Sequence, residues 1–490
     1  MADSELFSVA INELGWLQPL LLLAISQFVL YSIYDSHAAG INHIPGPFWA
    51  RYTNLHAFIS TVRAGKRGDY LIPLHEKYGD VVRVGPRTVS VADPDAVKVI
   101  YNSKLRLRKF KNIGVGRPFG SRENVATIRD ADVHGQYRKP IANAYALSTL
   151  LEYQPVADKT IDLLFAALDR ESSVDGKEVD VAKWLFFYAF DLVGNLSFGK
   201  PIGFLESGED VFGLVRKQHL FADYVRLTMV MPNLHYLFLG NPLLRLFVNP
   251  AKNAFHNFSQ RQIRERANEV FGSPKAKQPP GHGQRKPDLL SYFLDAREKY
   301  PLIMTEEQVV STTIVNVFAG ALATTSLYLM VHHLVTYPEA QKRLYNDMVA
   351  LGVSTPVTWQ ETQKLPFLNG LVRESTRLHM GQNSLLGRDT PTQGLVLPNG
   401  MRLPHGVSVG IKPHVLHVQE KSFGEEPFVF KPERWCRFEG ESAEDYETRK
   451  SKMELCDLSF GYGSRACIGQ NIARLQMFKV VANLVWRYQV

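Results

Sequence analysis

The chain has 490 residues, of which 45% are hydrophobic, 11% aromatic and 21% charged, a balance that excludes fibres and disordered chains and suits a large buried core. Its three cysteines, Cys436, Cys456 and Cys467, are odd in number and too sparse for a disulfide scaffold, so a reducing compartment fits. The formal net charge of +8 favours anionic lipid or an acidic protein partner. Nucleic acid is set aside, because no helix or arm carries a dense Lys/Arg stripe interleaved with aromatics.

In chain order, residues 1–13 form an acidic tail with Asp3, Glu5 and Glu13. Residues 14–34, LGWLQPLLLLAISQFVLYSIY, carry no charge and come to about the 20 residues that cross a bilayer as one helix. A cleaved signal peptide would have a basic flank and a shorter apolar stretch, so the reading is a retained transmembrane anchor. Arg51, Arg63, Lys66 and Arg67 follow it, and the bias of Lys/Arg toward the cytoplasmic side places the domain at 48–490 in the cytosol. Between them, residues 35–47 read as a linker ending in the hinge Ile44-Pro45-Gly46-Pro47, where two prolines forbid a helix.

Residues 81–92 alternate β-branched side chains around a Gly-Pro turn and predict a hairpin. Apolar spacings of three and four predict helices over 132–153, 179–196, 211–229 and 253–270, the first kinked at Pro140. The Pro/Gly-rich basic stretch 273–287 reads as a solvent loop. Thr305 and Gln308 form a capping-box pattern, and no proline follows until Pro338, so one long apolar helix of about 30 residues is expected in the core. The fold class is mainly α with small β-sheets and one N-terminal transmembrane helix.

The most informative stretch is Phe460-Gly461-Tyr462-Gly463-Ser464-Arg465-Ala466-Cys467-Ile468-Gly469, a Gly-rich loop opening onto the helical sequence QNIARLQMFKVVANLVW. Glycines let a backbone approach a flat cofactor, and amides at a helix N-terminus stabilise a thiolate. A lone cysteine after such a turn is ordinarily an inert buried thiol. Here five positions, Phe460, Gly463, Arg465, Cys467 and Gly469, match the pattern Phe-x-x-Gly-x-Arg-x-Cys-x-Gly, and the chain from Ile44 onward resembles the cytochromes P450.

The resemblance implies the cytochrome P450 fold and a haem b whose iron takes Cys467 as axial thiolate, a ligand that favours O–O cleavage. It implies that Arg465 pairs with a haem propionate, that Phe460 packs beside the thiolate, and that His134 and Arg138, one turn apart on a helix, reach the propionates. Glu374 and Arg377, at i and i+3 on RESTRLH, would join Arg434 of the segment FKPERW in a structural lock behind the Cys loop. Cys436 and Cys456 match nothing and read as structural.

Two features depart from the family. Its long helix carries Ala/Gly-Gly-x-Asp/Glu-Thr-Thr/Ser, the acid and alcohol relaying protons during oxygen activation, whereas this chain has Ala319-Gly320-Ala321-Leu322-Ala323-Thr324-Thr325. The acid position falls on Ala323 in one alignment and on Leu322 in the other, and neither is a carboxylate, which leaves Thr324, ordered water or a substrate hydroxyl to move protons. Family members also continue past the last helix into strands lining the substrate pocket, while this sequence ends at Val490, so the end is expected to be either naturally short or cut in the gene model, with lower stability or activity in the second case.

The stretches LHEKYGDVVRVGPRTVSVADPDAVKVIY and RKPIANAYALSTL resemble fungal microsomal, pisatin-demethylase-like enzymes of secondary metabolism. The implied function is a monooxygenase of the endoplasmic reticulum membrane that oxidises an apolar small molecule. Electrons would come from NADPH through a cytochrome P450 reductase, with cytochrome b5 as a further partner. The missing helix acid keeps open a haem-thiolate isomerase or dehydratase needing no external oxygen, and the short end keeps open a haem-binding protein without turnover.

Overall fold

The alternation over 81–92 forms the expected hairpin: strands β1 (Val81–Gly85) and β2 (Thr88–Val91) pair antiparallel, with the register slipping between Arg83 and Gly85. The computed structural model describes residues 17–65, 69–117, 121–172, 178–241, 243, 254–271, 288–379 and 384–488. Tail 1–13, the first three residues of the 14–34 span and the loop 273–287 lie outside the described residues. The chain divides into two units, Met1–Ile100 with Gly387–Gly410, and Tyr101–Leu386 with Ile411–Val490.

The first unit holds both sheets. Strands β3 (Arg388–Asp389), β4 (Leu395–Val396), β5 (Arg402–Leu403) and β6 (Ser408–Gly410) follow in the second sequence segment. The larger sheet runs β1-β2-β6-β3, with β6 parallel to β2 and antiparallel to β3, and β4 pairs with β5 in a small ribbon. The N-terminal helix runs Leu17–Ala38, four residues beyond the expected span, and exposes Leu20, Leu21, Leu22, Leu23, Phe28 and Leu30. Its Pro19–Ala38 stretch is long and apolar enough to cross a membrane.

Residues 35–47 pack onto the sheet. Ser36, Ala39, Ile41 and Ile44 are buried, and Arg83 gathers them. Its guanidinium donates to Asn42 Oδ1 at 2.6 Å, Pro86 O at 2.7 Å, Arg51 O at 3.3 Å, Ser36 Oγ at 3.4 Å and Ser36 O at 3.5 Å. Burial, with Arg51 nearby, lowers the Arg83 pKa to about 10, so the group stays charged at neutral pH. Arg87 pairs with Asp35 at 2.8 Å, and a Cβ at Gly46 would fall 2.2 Å from Arg83 O, so only glycine lets the two strands of chain meet.

The second unit is helical. Val181–Phe198 starts where Asp180 caps it by accepting from the Lys183 amide. The helix expected over 211–229 begins as a 3-10 turn, Val211–Gly213, in which Phe212 is left-handed (φ 57°), and continues as Leu214–Thr228. The 253–270 helix is found as Ala254–Phe271. The 132–153 helix is not continuous: Pro140 cannot donate to the preceding turn, and the chain passes from Ala131–Ile141 into a 3-10 turn, Ala142–Tyr145, and then Leu147–Leu151.

The long helix is also interrupted, as Glu306–Gly320, a 3-10 turn Ala321–Ala323, and Thr324–Thr336. Half of the capping box forms: the Gln308 amide donates to Thr305 Oγ1, while the Gln308 side chain donates to Glu123 O. Its apolar length reflects burial, since Ile314, Val317, Leu327, Met330 and Leu334 sit in one core with Leu185, Phe190, Leu371, Leu475 and Val480.

Arg83→Ala strands several buried acceptors and lowers the stability of the full-length protein by about 3 kcal/mol or more, read as a denaturant midpoint in detergent. Arg83→Lys recovers only part of it, because one ammonium cannot span the fork. A loss under ~1 kcal/mol for the alanine variant contradicts this account.

Candidate cofactor site

The Cys loop is built by its glycines. Gly461 and Gly463 have φ of 73° and 65°, where side-chain-bearing residues are strained. A Cβ on Gly463 would stand 3.0 Å from Tyr101 O. The loop closes when the Cys467 amide donates to Phe460 O at 2.7 Å and the Ala466 amide to Gly463 O at 3.0 Å. Phe460 packs on the core with the Arg474 guanidinium over its ring, and Gly469 opens the helix Gln470–Arg487.

Cys467 has exposed surface, yet desolvation pushes its thiol pKa up, against the opposing pull of the Gly469 amide, the Arg138 guanidinium and the Gln470 amide. Both hold if the sulfur opens onto a recess enclosed by protein rather than onto bulk water. Burial raises the thiol, and a metal ion at the sulfur, added to the two amides and Arg138, would favour the thiolate. Among the described residues no group of three or more His, Cys, Asp or Glu is arranged to hold a bare ion. A metal at Cys467 therefore has to bring its other ligands, as a haem does, and the residues fit that group.

The helix Ala131–Ile141 lies against the loop. Asp130 caps it, accepting from the Asp132 and Val133 amides. Arg138 donates to Ala466 O at 2.7 Å, while His134 on the preceding turn is buried. Arg465 donates to the carbonyls of Ile128, Arg129 and Asp130 at 2.9, 2.9 and 2.7 Å. The two arginines thus brace loop and helix to each other through main-chain carbonyls, a role no side-chain motif announces.

The long helix reaches the same neighbourhood. Its 3-10 turn packs on the Gln470–Arg487 helix. Tyr145 OH donates to Asn316 Oδ1 at 3.1 Å, and that phenol is pushed up by burial and by Cys467 nearby. Ala319 is exposed and Val315, Phe318, Leu322 and Ala323 are partly so, amid buried neighbours, so this face borders open space. Thr324 is fully buried, its Oγ1 unpartnered among the described residues, whereas Thr325 is exposed. Gly320 is demanded by contact, since a Cβ there would lie 2.2 Å from Val193 Cγ2.

Behind the loop, the Glu374 carboxylate is completely buried and collects five donors. Arg377 supplies Nη2 at 2.6 Å and Nε at 2.9 Å, Lys431 its amide at 3.0 Å, Arg434 Nε at 3.3 Å and Trp435 Nε1 at 2.9 Å. Arg377 continues to the carbonyls of His417 and Pro427, and Arg434 to those of Phe423, Glu425 and Glu426. Sequence spacing points to Glu374, Arg377 and Arg434; Trp435, one residue further along FKPERW, was overlooked. Cys436 and Cys456 are buried, and burial raises both thiols.

Glu374→Gln leaves two guanidinium groups without their carboxylate and costs about 3–5 kcal/mol, measured by chemical denaturation. Acid acts on two histidines, one half-buried and one fully buried. His333, stacked on Phe430 at 3.5 Å, and His417 both have their pKa lowered by burial from 6.5 to about 4. The folded state resists protons that the unfolded chain accepts, so stability present above pH 6.5 is lost as pH falls toward 4. His333→Phe should flatten the slope of urea midpoint against pH in that window; an unchanged slope removes His333 from the explanation.

Comparison with known proteins agrees with this geometry. The family model described as Cytochrome P450 matches residues 45–490. A cytochrome P450 monooxygenase of Aspergillus terreus is 32% identical, over 97% of this chain and 95% of its own length. Two from Emericella nidulans, cicH and pkfB, are each 32% identical, over 92% and 97% of this chain and 88% and 91% of their own lengths. The chain belongs to the cytochrome P450 family of haem-thiolate monooxygenases.

Proposed function

We propose that this enzyme oxidises an apolar small molecule of fungal secondary metabolism at the endoplasmic reticulum membrane, with Cys467 as the axial ligand of haem b. The observation that carries the reading is the sulfur itself: a cysteine with exposed surface, its thiol desolvated, held by a Gly-rich loop at a helix N-terminus. A haem held there would supply dioxygen activation, one oxygen atom going to the substrate and the other leaving as water with two electrons and two protons. Electrons come from NADPH through a cytochrome P450 reductase, with cytochrome b5 as an accessory donor, and the +8 charge suits acidic partners. The apolar helix Pro19–Ala38 serves as the membrane anchor, residues 39–47 pack onto the sheet of its unit, and the catalytic domain runs over 48–490.

The chain's own residues then divide the work. Phe460, Gly463 and Gly469 shape the loop under the cofactor. His134, Arg138 and Arg465 meet its propionates, the two arginines sharing their guanidinium groups with the carbonyls they already hold. Glu374, Arg377 and Arg434 keep the loop's support rigid. Val315, Ala319, Leu322 and Ala323 offer an apolar wall. Thr324 Oγ1, at the helix break and without a partner among the described residues, is the hydroxyl that holds and passes a proton.

The test is expression of the full chain with a reductase and metabolite profiling against a null strain. Cys467→Ala should abolish the thiolate ferrous–carbon monoxide band and all product. Thr324→Ala should keep the band while product per NADPH falls about tenfold, and Thr324→Ser should restore it. Unchanged coupling in Thr324→Ala removes that residue from the relay, and product formed without oxygen and NADPH replaces the monooxygenase reading with an isomerase or dehydratase.

A further inference from the structure

One buried side chain joins the Glu374 network to the Cys loop. His417 ends the short helix Pro413–His417 and has no exposed surface. Its Nδ1 lies 2.7 Å from Arg377 O, which can only accept, so Nδ1 carries the hydrogen. Its Nε2 lies 3.0 Å from the Leu458 amide, which can only donate, so Nε2 is bare. Only the neutral imidazole with hydrogen on Nδ1 satisfies both bonds.

The bridge is closed at both ends. Arg377 Nη1 donates back to His417 O, so helix and histidine exchange hydrogen bonds. Leu458 O accepts from the Gly461 amide at 2.8 Å, and Phe460 O accepts from the Cys467 amide at 2.7 Å. Two further hydrogen bonds thus carry the position of Leu458 to the residue bearing the sulfur.

We infer that His417 is a positioning residue for Cys467, its neutral ring setting the height of the Cys loop by holding the Leu458 amide at a fixed distance from the Arg377 backbone. The inference rests on Cys467 being the haem ligand. The groups facing the ring fit a neutral bridge: Phe423 stands edge-on at 6.0 Å, the Arg377 guanidinium and His414 oppose a second positive charge, and Asp457 Oδ1, 3.9 Å from Nε2, favours one. Burial outweighs Asp457 and holds the ring neutral. A proton on Nε2 would point an N–H at the Leu458 N–H and break the bridge.

Two substitutions in the full-length haem-loaded protein separate the two bonds. The amide nitrogen of Asn in His417→Asn overlays Nδ1, keeping Arg377 O and losing Leu458. The amide oxygen of Gln in His417→Gln overlays Nε2, keeping Leu458 and losing Arg377 O. His417→Asn should convert from the thiolate to the non-thiolate ferrous–carbon monoxide form about tenfold faster, the weight of roughly one hydrogen bond, with faster hydrogen exchange at the Leu458 amide. His417→Gln should fall between His417→Asn and the parent on both readouts, because Leu458 stays held and His417 O still accepts from Arg377 Nη1 while the ring's bond to Arg377 O is lost. Equal behaviour of the two variants, or the reverse order, overturns the inference.

An arm on the parent protein stands even where a variant fails to fold. The Leu458 amide should be protected at neutral pH and lose protection as pH falls toward about 4, before circular dichroism reports global unfolding. Loss only together with global unfolding overturns the inference, whereas a parent protein with no thiolate band at all sinks the Cys467 reading instead.

Discussion

A carboxylate cannot be buried in protein without a full set of donors, and Glu374 is buried completely. That demand organises the region behind the Cys loop. The five donors come from the Glu374 helix itself and from residues 431–435, so the segment FKPERW is held where the carboxylate needs it. Close packing enforces the same place: a Cβ on Gly370 would fall 2.4 Å from Pro432 O, so the helix can approach only through a glycine. Arg377 and Arg434 then spend their remaining donors on main-chain carbonyls from 417 to 427, turning one buried charge into a scaffold for irregular chain.

What could be read from the sequence follows from which partner is a side chain. The Cys loop was legible because its glycines stand at left-handed positions and its Cys, Arg and Phe at fixed offsets. Glu374 and Arg377 were legible because helical spacing puts them together. The bracing by Arg138 and Arg465 was not, since their partners are carbonyls more than 300 positions away that any residue could supply. His417 escaped for the same reason: both its partners are backbone atoms. The helix break at Ala321–Ala323 carries no proline and no propensity signal; it sits beside the tight Gly320–Val193 contact, a tertiary constraint that a single segment cannot reveal.

The junction between the N-terminal helix and the sheet shows the same logic at the other unit. Two prolines near 45–47 suggested a hinge, and φ restriction alone would allow one. Arg83 removes that freedom, because its buried guanidinium must find acceptors and finds them in Ser36, Asn42 and Arg51. The N-terminal helix therefore enters its unit as a packed element, and its last turn belongs to the sheet rather than to a tether.

The partly exposed face of the long helix, whose 3-10 turn packs on the helix after the Cys loop, sets the chemistry on this side. With Val315, Ala319, Leu322 and Ala323 on that face and no carboxylate in either alignment, the wall offers shape and dryness but no acid. Dryness strengthens every electrostatic interaction that is present, including the pull of the Gly469 and Gln470 amides on the sulfur. It also raises the cost of leaving a polar group unpaired, and Thr324 Oγ1 is such a group. A buried hydroxyl without a partner is stabilised by whatever acceptor or water reaches it, so the helix break gains from an acceptor or water brought to Thr324 Oγ1.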